Sequence, residues 1–243
     1  MFIEPRGTEL ITRYKHNYHI PDQVAITEEM ILKHWELEKR MVKELLASKP
    51  DNRWEVFEQA YTVLYSELEW LNQLPGDTRS PTEKYQTWVE TVGSQPQKIY
   101  EIGSGKGKLI SYLAQCGFEC KATEITKERG KKHISESLPN LSWGISDSIK
   151  LDTFKSANYY DVVISNQVIE HFYPEDLYTH FKAVYNILNE NGRYIFGILY
   201  LKFMLIVEKI LFGMPSKKIR RPLAKGLRKL YLFADNIFLT AQK

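Results

Sequence analysis

The sequence predicts an α/β protein with a doubly wound, mostly parallel sheet and an N-terminal helical extension. Three observations predict this fold. Apolar residues recur at helical spacing through residues 1–92, short β-rich runs alternate with helical segments from Lys98 onward, and one run ends in closely spaced glycines. Strands that alternate with helices form parallel sheets through right-handed crossovers. We therefore expect a helical lid over residues 1–92 and a ligand-binding α/β domain over residues 93–243.

The helical extension contains three predicted helices. Thr27 is the expected N-cap of the first, with acids in its first turn, and residues 50–52 end it. The second helix places Trp54, Tyr61 and their neighbours on one face, and the third covers residues 82–92.

The α/β part shows six β-rich runs. Helices are predicted between them over residues 109–116, 127–137 and 174–188, and a turn over residues 189–192. The segment 203–211 is compatible with a helix or a strand. The predicted strands are residues 98–102, 119–125, 141–145, 160–165, 193–199 and 236–241.

The composition is that of a globular protein, with 43% hydrophobic and 26% charged residues, which excludes a disordered or collagen-like chain. The net charge of +3 is too small to indicate nucleic-acid binding. Residues 201–243 nevertheless hold ten Lys and Arg against two Asp and Glu. This basic tail is compatible with a solvated helix face, with contact to an anionic membrane surface, or, least favoured, with RNA binding.

Cys116 and Cys120 are the only cysteines, too few for a disulfide framework or a four-cysteine zinc site. We therefore expect a reducing, cytoplasmic environment and no metal site. The first ten residues carry charges and no signal-like apolar core. The most apolar stretch, residues 194–207, contains Lys202 and is shorter than the roughly 20 residues of a membrane span, so no transmembrane helix is expected.

The most informative segment is the sequence E-I-G-S-G-K-G over residues 101–107, between a predicted strand and a predicted helix. Glycine permits positive φ angles and close approach of a ligand to the backbone, and the following helix offers free N–H groups. A Walker loop is excluded because only three residues separate Gly103 from Gly107, and Leu109 occupies its Ser/Thr position. A dinucleotide loop has glycine where this chain has Lys108.

This loop resembles that of the Rossmann-like, class I S-adenosylmethionine-dependent methyltransferases. The resemblance covers about residues 98–199 and rests on three further features besides the loop. Glu124 ends the second strand, Asp147 follows the third, and the fourth leads into N-Q-V-I-E-H over residues 166–171. The Glu-His pair resembles the small-molecule type, such as the ubiquinone-biosynthesis O-methyltransferases. The chain lacks the N-P-P-[YF] pattern of amide N-methyltransferases.

The resemblance implies S-adenosylmethionine as the cofactor. An acid at the end of the second strand can accept both ribose hydroxyls, and we assign this to Glu124. The family implies that Glu101 and the Gly103 backbone face the amino-acid end of the cofactor and that Asp147 accepts from the adenine amine. It also places Asn166 and Gln167 near the methionine part. Further candidate cofactor contacts are Ser104, Gly105, Gly107, Ile125 and Ser148.

His171 is the candidate catalytic residue. An imidazole titrates near neutrality and can take a proton from an attacking hydroxyl. The alternative is that His171 caps or packs under the following helix, and the sequence leaves both interpretations open.

The helical extension is the expected acceptor lid. Its aromatic and histidine side chains suit an aromatic or lipid-like small molecule, although most are typical of helix packing. We expect residues 14–19 to cross the cofactor mouth. The candidates are Tyr14, His16, Tyr18, His19, Trp35, Trp54, Tyr61 and Trp70.

The region after the fifth strand departs from the family pattern and leaves the function open between hypotheses. Family members usually have two more strands after the fifth, whereas 44 residues follow Leu199 here. The first hypothesis is a methyltransferase with a small-molecule acceptor, oxygen being the favoured acceptor atom. The alternative is a cofactor-binding protein without activity. A nicotinamide-dependent oxidoreductase is a third possibility, which Lys108 disfavours.

Overall fold

The computed structural model describes residues 6–18, 20–68, 79–94, 97–130, 138–149, 151, 157–199 and 236–243. Four helices precede the sheet: α1 (Gly7–Asn17), α2 (Glu28–Ala47), α3 (Arg53–Glu67) and α4 (Pro81–Val92). Three of them match the predicted helices, whereas α1 was not predicted. The Thr27 side chain accepts from the Met30 N–H, as expected of an N-cap.

The sheet confirms the predicted α/β fold. Its strands lie in the order β3-β2-β1-β4-β5-β6, and all neighbours are parallel except β5 and β6, which are antiparallel. Helix α5 (Lys108–Gln115) follows β1, and α6 (Pro174–Ile187) connects β4 to β5. The strands are β1 (Lys98–Ile102), β2 (Glu119–Glu124), β3 (Leu141–Ile145), β4 (Tyr160–Asn166), β5 (Leu188–Leu199) and β6 (Asn236–Gln242).

The two faces of the sheet are covered by different layers. On one face Ile99 and Val162 pack with Leu113 of α5 and Trp88 of α4, which joins the helical extension to this core. The opposite face holds a second buried cluster that includes residues of α6. The strand order reverses between β1 and β4, and ligands of open α/β sheets bind outside the strand ends at such a point.

The predicted turn over residues 189–192 is wrong, because these residues lie within β5. The pairing of β4 with β5 jumps from Tyr160↔Leu188 to Val162↔Arg193, so the extra residues form an irregularity in the strand. Asn191 adopts a φ of 65° there, which explains the turn-like composition.

Several predictions fall partly or wholly outside the described residues. Residues 131–137 of the predicted second α/β helix, the segment 203–211 and the basic tail up to residue 235 are among them. Among the helices that the structure describes, none combines the length and apolar composition that a membrane span requires. The described residues contain no group of three or more side chains that could hold a metal ion.

A buried ion pair attaches the helical extension to the α/β domain. Arg53, at the start of α3, donates from Nη1 to Asp176 Oδ2 at 2.8 Å and from Nη2 to Glu175 Oε1 at 3.0 Å. Its guanidinium also lies 3.7 Å from the centre of the Tyr173 ring. Removing one partner of a buried pair costs about 3–5 kcal/mol because the other charge stays buried. This contact therefore holds α3 against the start of α6.

A series of buried hydrogen bonds links α6 to residues of β4, β5 and the segment after β3. His180 Nδ1 lies 2.7 Å from the Ser148 carbonyl oxygen and Nε2 lies 2.9 Å from the Tyr194 hydroxyl, which contacts Ser165 Oγ at 2.8 Å. The carbonyl requires a proton on Nδ1, so the neutral ring accepts at Nε2 from Tyr194. Burial disfavours the imidazolium and lowers the pKa of His180 to about 4.

This burial predicts a pH-dependent stability. Below its ordinary pKa of 6.5, His180 takes up a proton in the unfolded chain but not in the folded one until about pH 4. The free energy of unfolding should therefore fall as the pH is lowered from 6.5 to 4. Urea unfolding at several pH values measures this slope. The His180→Gln variant should show a smaller slope, whereas His16→Gln, at an exposed site on α1, should keep the slope of wild type. Equal slopes in wild type and both variants would contradict the lowered pKa of His180.

Candidate functional site

The glycine loop turns sharply between β1 and α5. Gly103, Gly105 and Gly107 adopt φ values of 67°, 56° and 68°, in the left-handed region that glycine enters without strain. The loop folds back on itself because the Gly107 N–H donates to the Ser104 carbonyl at 2.8 Å. Ser104 is buried and its hydroxyl has no hydrogen-bond partner. The loop therefore offers backbone groups and the Ser104 hydroxyl as possible hydrogen-bond partners for a ligand.

Gly103 is also required by space. A Cβ atom at this position would lie 2.5 Å from Cγ2 of Val168, closer than real Cβ contacts occur. The segment after β4 thus packs directly on the loop, and any larger residue at position 103 would push the two apart.

Glu124 ties the end of β2 to the loop. Its carboxylate is buried, and Oε2 accepts from the Gly105 N–H and Oε1 from the Ile125 N–H, both at 2.8 Å. Each carboxylate oxygen has a second lone pair. Glu124 can therefore hold the loop and still accept hydroxyl groups from a ligand.

Glu101 is the second-last residue of β1 and is only 3% exposed. Its Oε2 is buried and has no hydrogen-bond partner among the described residues. Burial, and then repulsion from Glu124, raise the pKa of Glu101 to about 8, while the Ile110 backbone N–H opposes the rise. Glu101 therefore holds a proton at neutral pH and would give it up to a cation placed beside it.

These residues line one cavity of about 370 Å³ at the carboxyl ends of the strands. Its volume lies within the range of small-molecule sites, roughly 300–1,000 Å³. Ten of the twelve predicted site residues meet in it: Glu101, Gly103, Ser104, Gly105, Glu124, Ile125, Ser148, Asn166, Gln167 and His171.

Asp147 and Gly107 are not among the residues that line this cavity. Asp147 Oδ1 accepts from the Ile149 N–H at 2.9 Å and closes a turn, and the residue borders a separate groove with Glu175 and Asp176. Ser148, which has a φ of 64°, is the residue after β3 that reaches the cavity. Gly107 instead begins α5 as its N-cap.

The segment after β4 supplies the other wall. Asn166 is the last residue of β4. Gln167 adopts a φ of 58°, and its N–H donates to the Gly197 carbonyl at 2.8 Å. A 3₁₀ turn follows over Ile169–His171. The His171 side chain is exposed and borders the cavity.

An aromatic wall from α3 faces the loop. The rings of Phe57 and Tyr61 stack with centres 4.9 Å apart, and Trp54 packs against Phe172 at the same centre distance. All four rings line the cavity. Trp54 and Tyr61 were predicted as wall residues, whereas Phe57 and Phe172 were not, although Phe57 precedes Tyr61 by one helical turn.

The expectation that residues 14–19 cross the cofactor mouth is wrong for the described residues 14–18. Tyr14 is buried, hydrogen-bonds to His34, and packs its ring near Trp35. These contacts hold α1 on α2, and none of these residues lines the cavity. His19 and Trp70 lie outside the described residues.

Comparison with known proteins agrees with this geometry. Residues 100–196 match the family model described as a methyltransferase domain. The match supports S-adenosylmethionine as the cofactor, in agreement with the glycine loop and the acid that ends β2. A search of the curated proteins found no match.

Solved structures share the fold. A SAM-dependent methyltransferase from Archaeoglobus fulgidus is 14% identical with a TM-score of 0.50, over 75% of this chain and 99% of that one. The PH0226 protein from Pyrococcus horikoshii OT3 is 21% identical with a TM-score of 0.51, over 70% of this chain and 92% of that one. At these identities the likeness concerns the Rossmann-like methyltransferase fold alone.

The loop geometry predicts the effect of adding one methyl group. Gly103→Ala combines a strained φ with a clash against Val168, so we expect at least tenfold weaker binding of the cofactor product S-adenosylhomocysteine. Isothermal titration measures the dissociation constant. Gly7→Ala, at a positive φ with no atom within 4 Å of the added carbon, is the matched control for backbone strain. Equal affinity in Gly103→Ala and wild type would refute the role of this position.

Proposed function

We propose that this chain is an S-adenosylmethionine-dependent methyltransferase that acts on a small molecule, with oxygen as the acceptor atom. The observation that carries the proposal is the buried Glu101 carboxyl, whose Oε2 lacks a hydrogen-bond partner at the glycine loop of a methyltransferase domain. Such a group requires a proton or a ligand cation, and the cofactor carries an ammonium group.

The residues present fit this cofactor. Glu101 with the Gly103 backbone would hold the amino-acid end, and Glu124 the ribose hydroxyls. The remaining contacts we assign are Ser104, Gly105, Ile125, Ser148, Asn166 and Gln167. When bound, S-adenosylmethionine supplies an electrophilic methyl group on a sulfonium leaving group. The task of the chain is then to align the acceptor and exclude water.

The helical extension forms the acceptor side in this proposal. Trp54, Phe57 and Tyr61 give a flat, half-buried wall opposite the glycine loop, which suits an acceptor with an apolar or aromatic body. His171 lies at the same cavity with an exposed ring. We assign it the removal of the hydroxyl proton as the acceptor oxygen attacks. Two free cysteines, Cys116 and Cys120, are consistent with a cytoplasmic location.

Titration with S-adenosylhomocysteine and a screen for turnover together test the function. We expect saturable binding of the cofactor product and transfer of a labelled methyl group from S-adenosylmethionine to members of a panel of hydroxylated small molecules. Absence of cofactor binding would refute the proposal. Binding without transfer to any acceptor, including amines and thiols, would favour the cofactor-binding protein without activity.

His171→Ala tests the general base separately. Loss of the imidazole should lower turnover by at least tenfold, while the affinity for S-adenosylhomocysteine stays within twofold of wild type. His16→Ala, which removes an exposed histidine far from the cavity, is the control. Unchanged turnover in His171→Ala would remove the residue from the mechanism and leave the cofactor assignment standing.

A further inference from the structure

Four basic side chains border the cavity, and the proposed cofactor contacts use none of them. Lys84 comes from α4, Lys106 and Lys108 from the glycine loop and the start of α5, and Arg129 from the segment after β2. The basic residues thus reach one cavity from three separate parts of the chain. Their convergence was not predicted from the sequence, because Lys84 and Arg129 lie outside the glycine loop that contains Lys106 and precedes Lys108.

Arg129 lies where the two sides of the cavity meet. Its guanidinium is 5.1 Å from the centre of the Tyr65 ring on α3, and its Nε would lie 3.7 Å from a Cβ at Gly105. Among the described residues, no ion pair forms with Arg129 or Lys108. Arg129 is therefore positioned between the aromatic wall and the glycine loop, and no carboxylate within the described ranges forms an ion pair with it.

Among the described residues, the acids of the cavity form no ion pair with Arg129 or Lys108. Burial, and then repulsion from Lys108 and Arg129, lower the pKa of Lys106, so these three cations are close enough to disfavour one another. Of the two acids of the cavity, Glu124 already accepts N–H groups from Gly105 and Ile125, and Glu101 holds a proton at neutral pH.

The cofactor does not balance these charges either. S-adenosylmethionine carries a sulfonium and an ammonium against a single carboxylate. Loss of the Glu101 proton on binding would offset this net charge and leave the charges of Arg129 and Lys108 uncompensated. A second ligand with negative charge is the group that would relieve the repulsion.

We propose that the methyl acceptor bears a carboxylate or phosphate group, which Arg129 and Lys108 bind while its apolar body lies against Trp54, Phe57 and Tyr61. Arginine is suited to this task because its planar fork binds carboxylate and phosphate oxygens in pairs. The inference rests on the proposed function, since it names the class of acceptor for the same site.

Ligand binding to the protein saturated with S-adenosylhomocysteine tests the inference. The probes are benzoate and phenyl phosphate, with benzyl alcohol as the uncharged analogue of similar size, and titration calorimetry gives each dissociation constant. We expect the better of the two anions to bind at least tenfold more tightly than benzyl alcohol. The better anion also tells a carboxylate site from a phosphate site.

Arg129→Gln should remove this preference for the anion and leave the affinity for S-adenosylhomocysteine within twofold of wild type. Lys43→Gln, which removes an equal charge from an exposed position on α2, should change neither. Equal binding of the anions and the alcohol to wild type would overturn the inference. So would a parallel loss of S-adenosylhomocysteine binding in Arg129→Gln, because the cations would then hold the cofactor carboxylate. Wild-type protein that binds no S-adenosylhomocysteine would instead refute the proposed function.

Discussion

Two buried carboxyl groups at neighbouring strand ends dominate the chemistry of this molecule. Because β1 and β2 are parallel, Glu101 and Glu124 reach the same edge of the sheet, where Glu124 disfavours ionisation of Glu101. Glu124 is stabilised by two backbone N–H groups, and Glu101 has one buried oxygen without any partner. Burying a carboxyl oxygen without a hydrogen bond costs free energy, and a cationic group of a ligand at this site would offset that cost.

The cavity is formed by residues of both the helical extension and the α/β domain. Arg53 anchors α3 to α6 through two acids, and the next residue, Trp54, packs on Phe172 beside His171. The same contacts that stabilise the extension therefore place the aromatic wall opposite the glycine loop. Without it, the edge of the sheet would keep the glycine loop and lose the aromatic rings of α3 that line the cavity.

The sequence was sufficient for the fold and for the position of the glycine loop beside Glu124 at the edge of the sheet. The loop over residues 101–107 and the acid at position 124 follow directly from the rule that parallel strands end at one edge. Spacing alone does not show that the Asp147 carboxylate accepts from the Ile149 N–H and closes a local turn. The basic residues of the cavity were missed because their meeting depends on tertiary packing between α4, the loop and the segment after β2.

Proton release on cofactor binding tests the central claim most directly. Glu101 is protonated in the free protein at pH 7, so an ammonium group placed beside it should expel close to one proton per S-adenosylhomocysteine bound. Titrations in buffers of different ionisation enthalpy measure this number. Glu101→Gln, which keeps the shape and the neutral state, should stay folded, bind more weakly and release almost none. Release that is absent from wild type, or unchanged in the variant, would contradict the account.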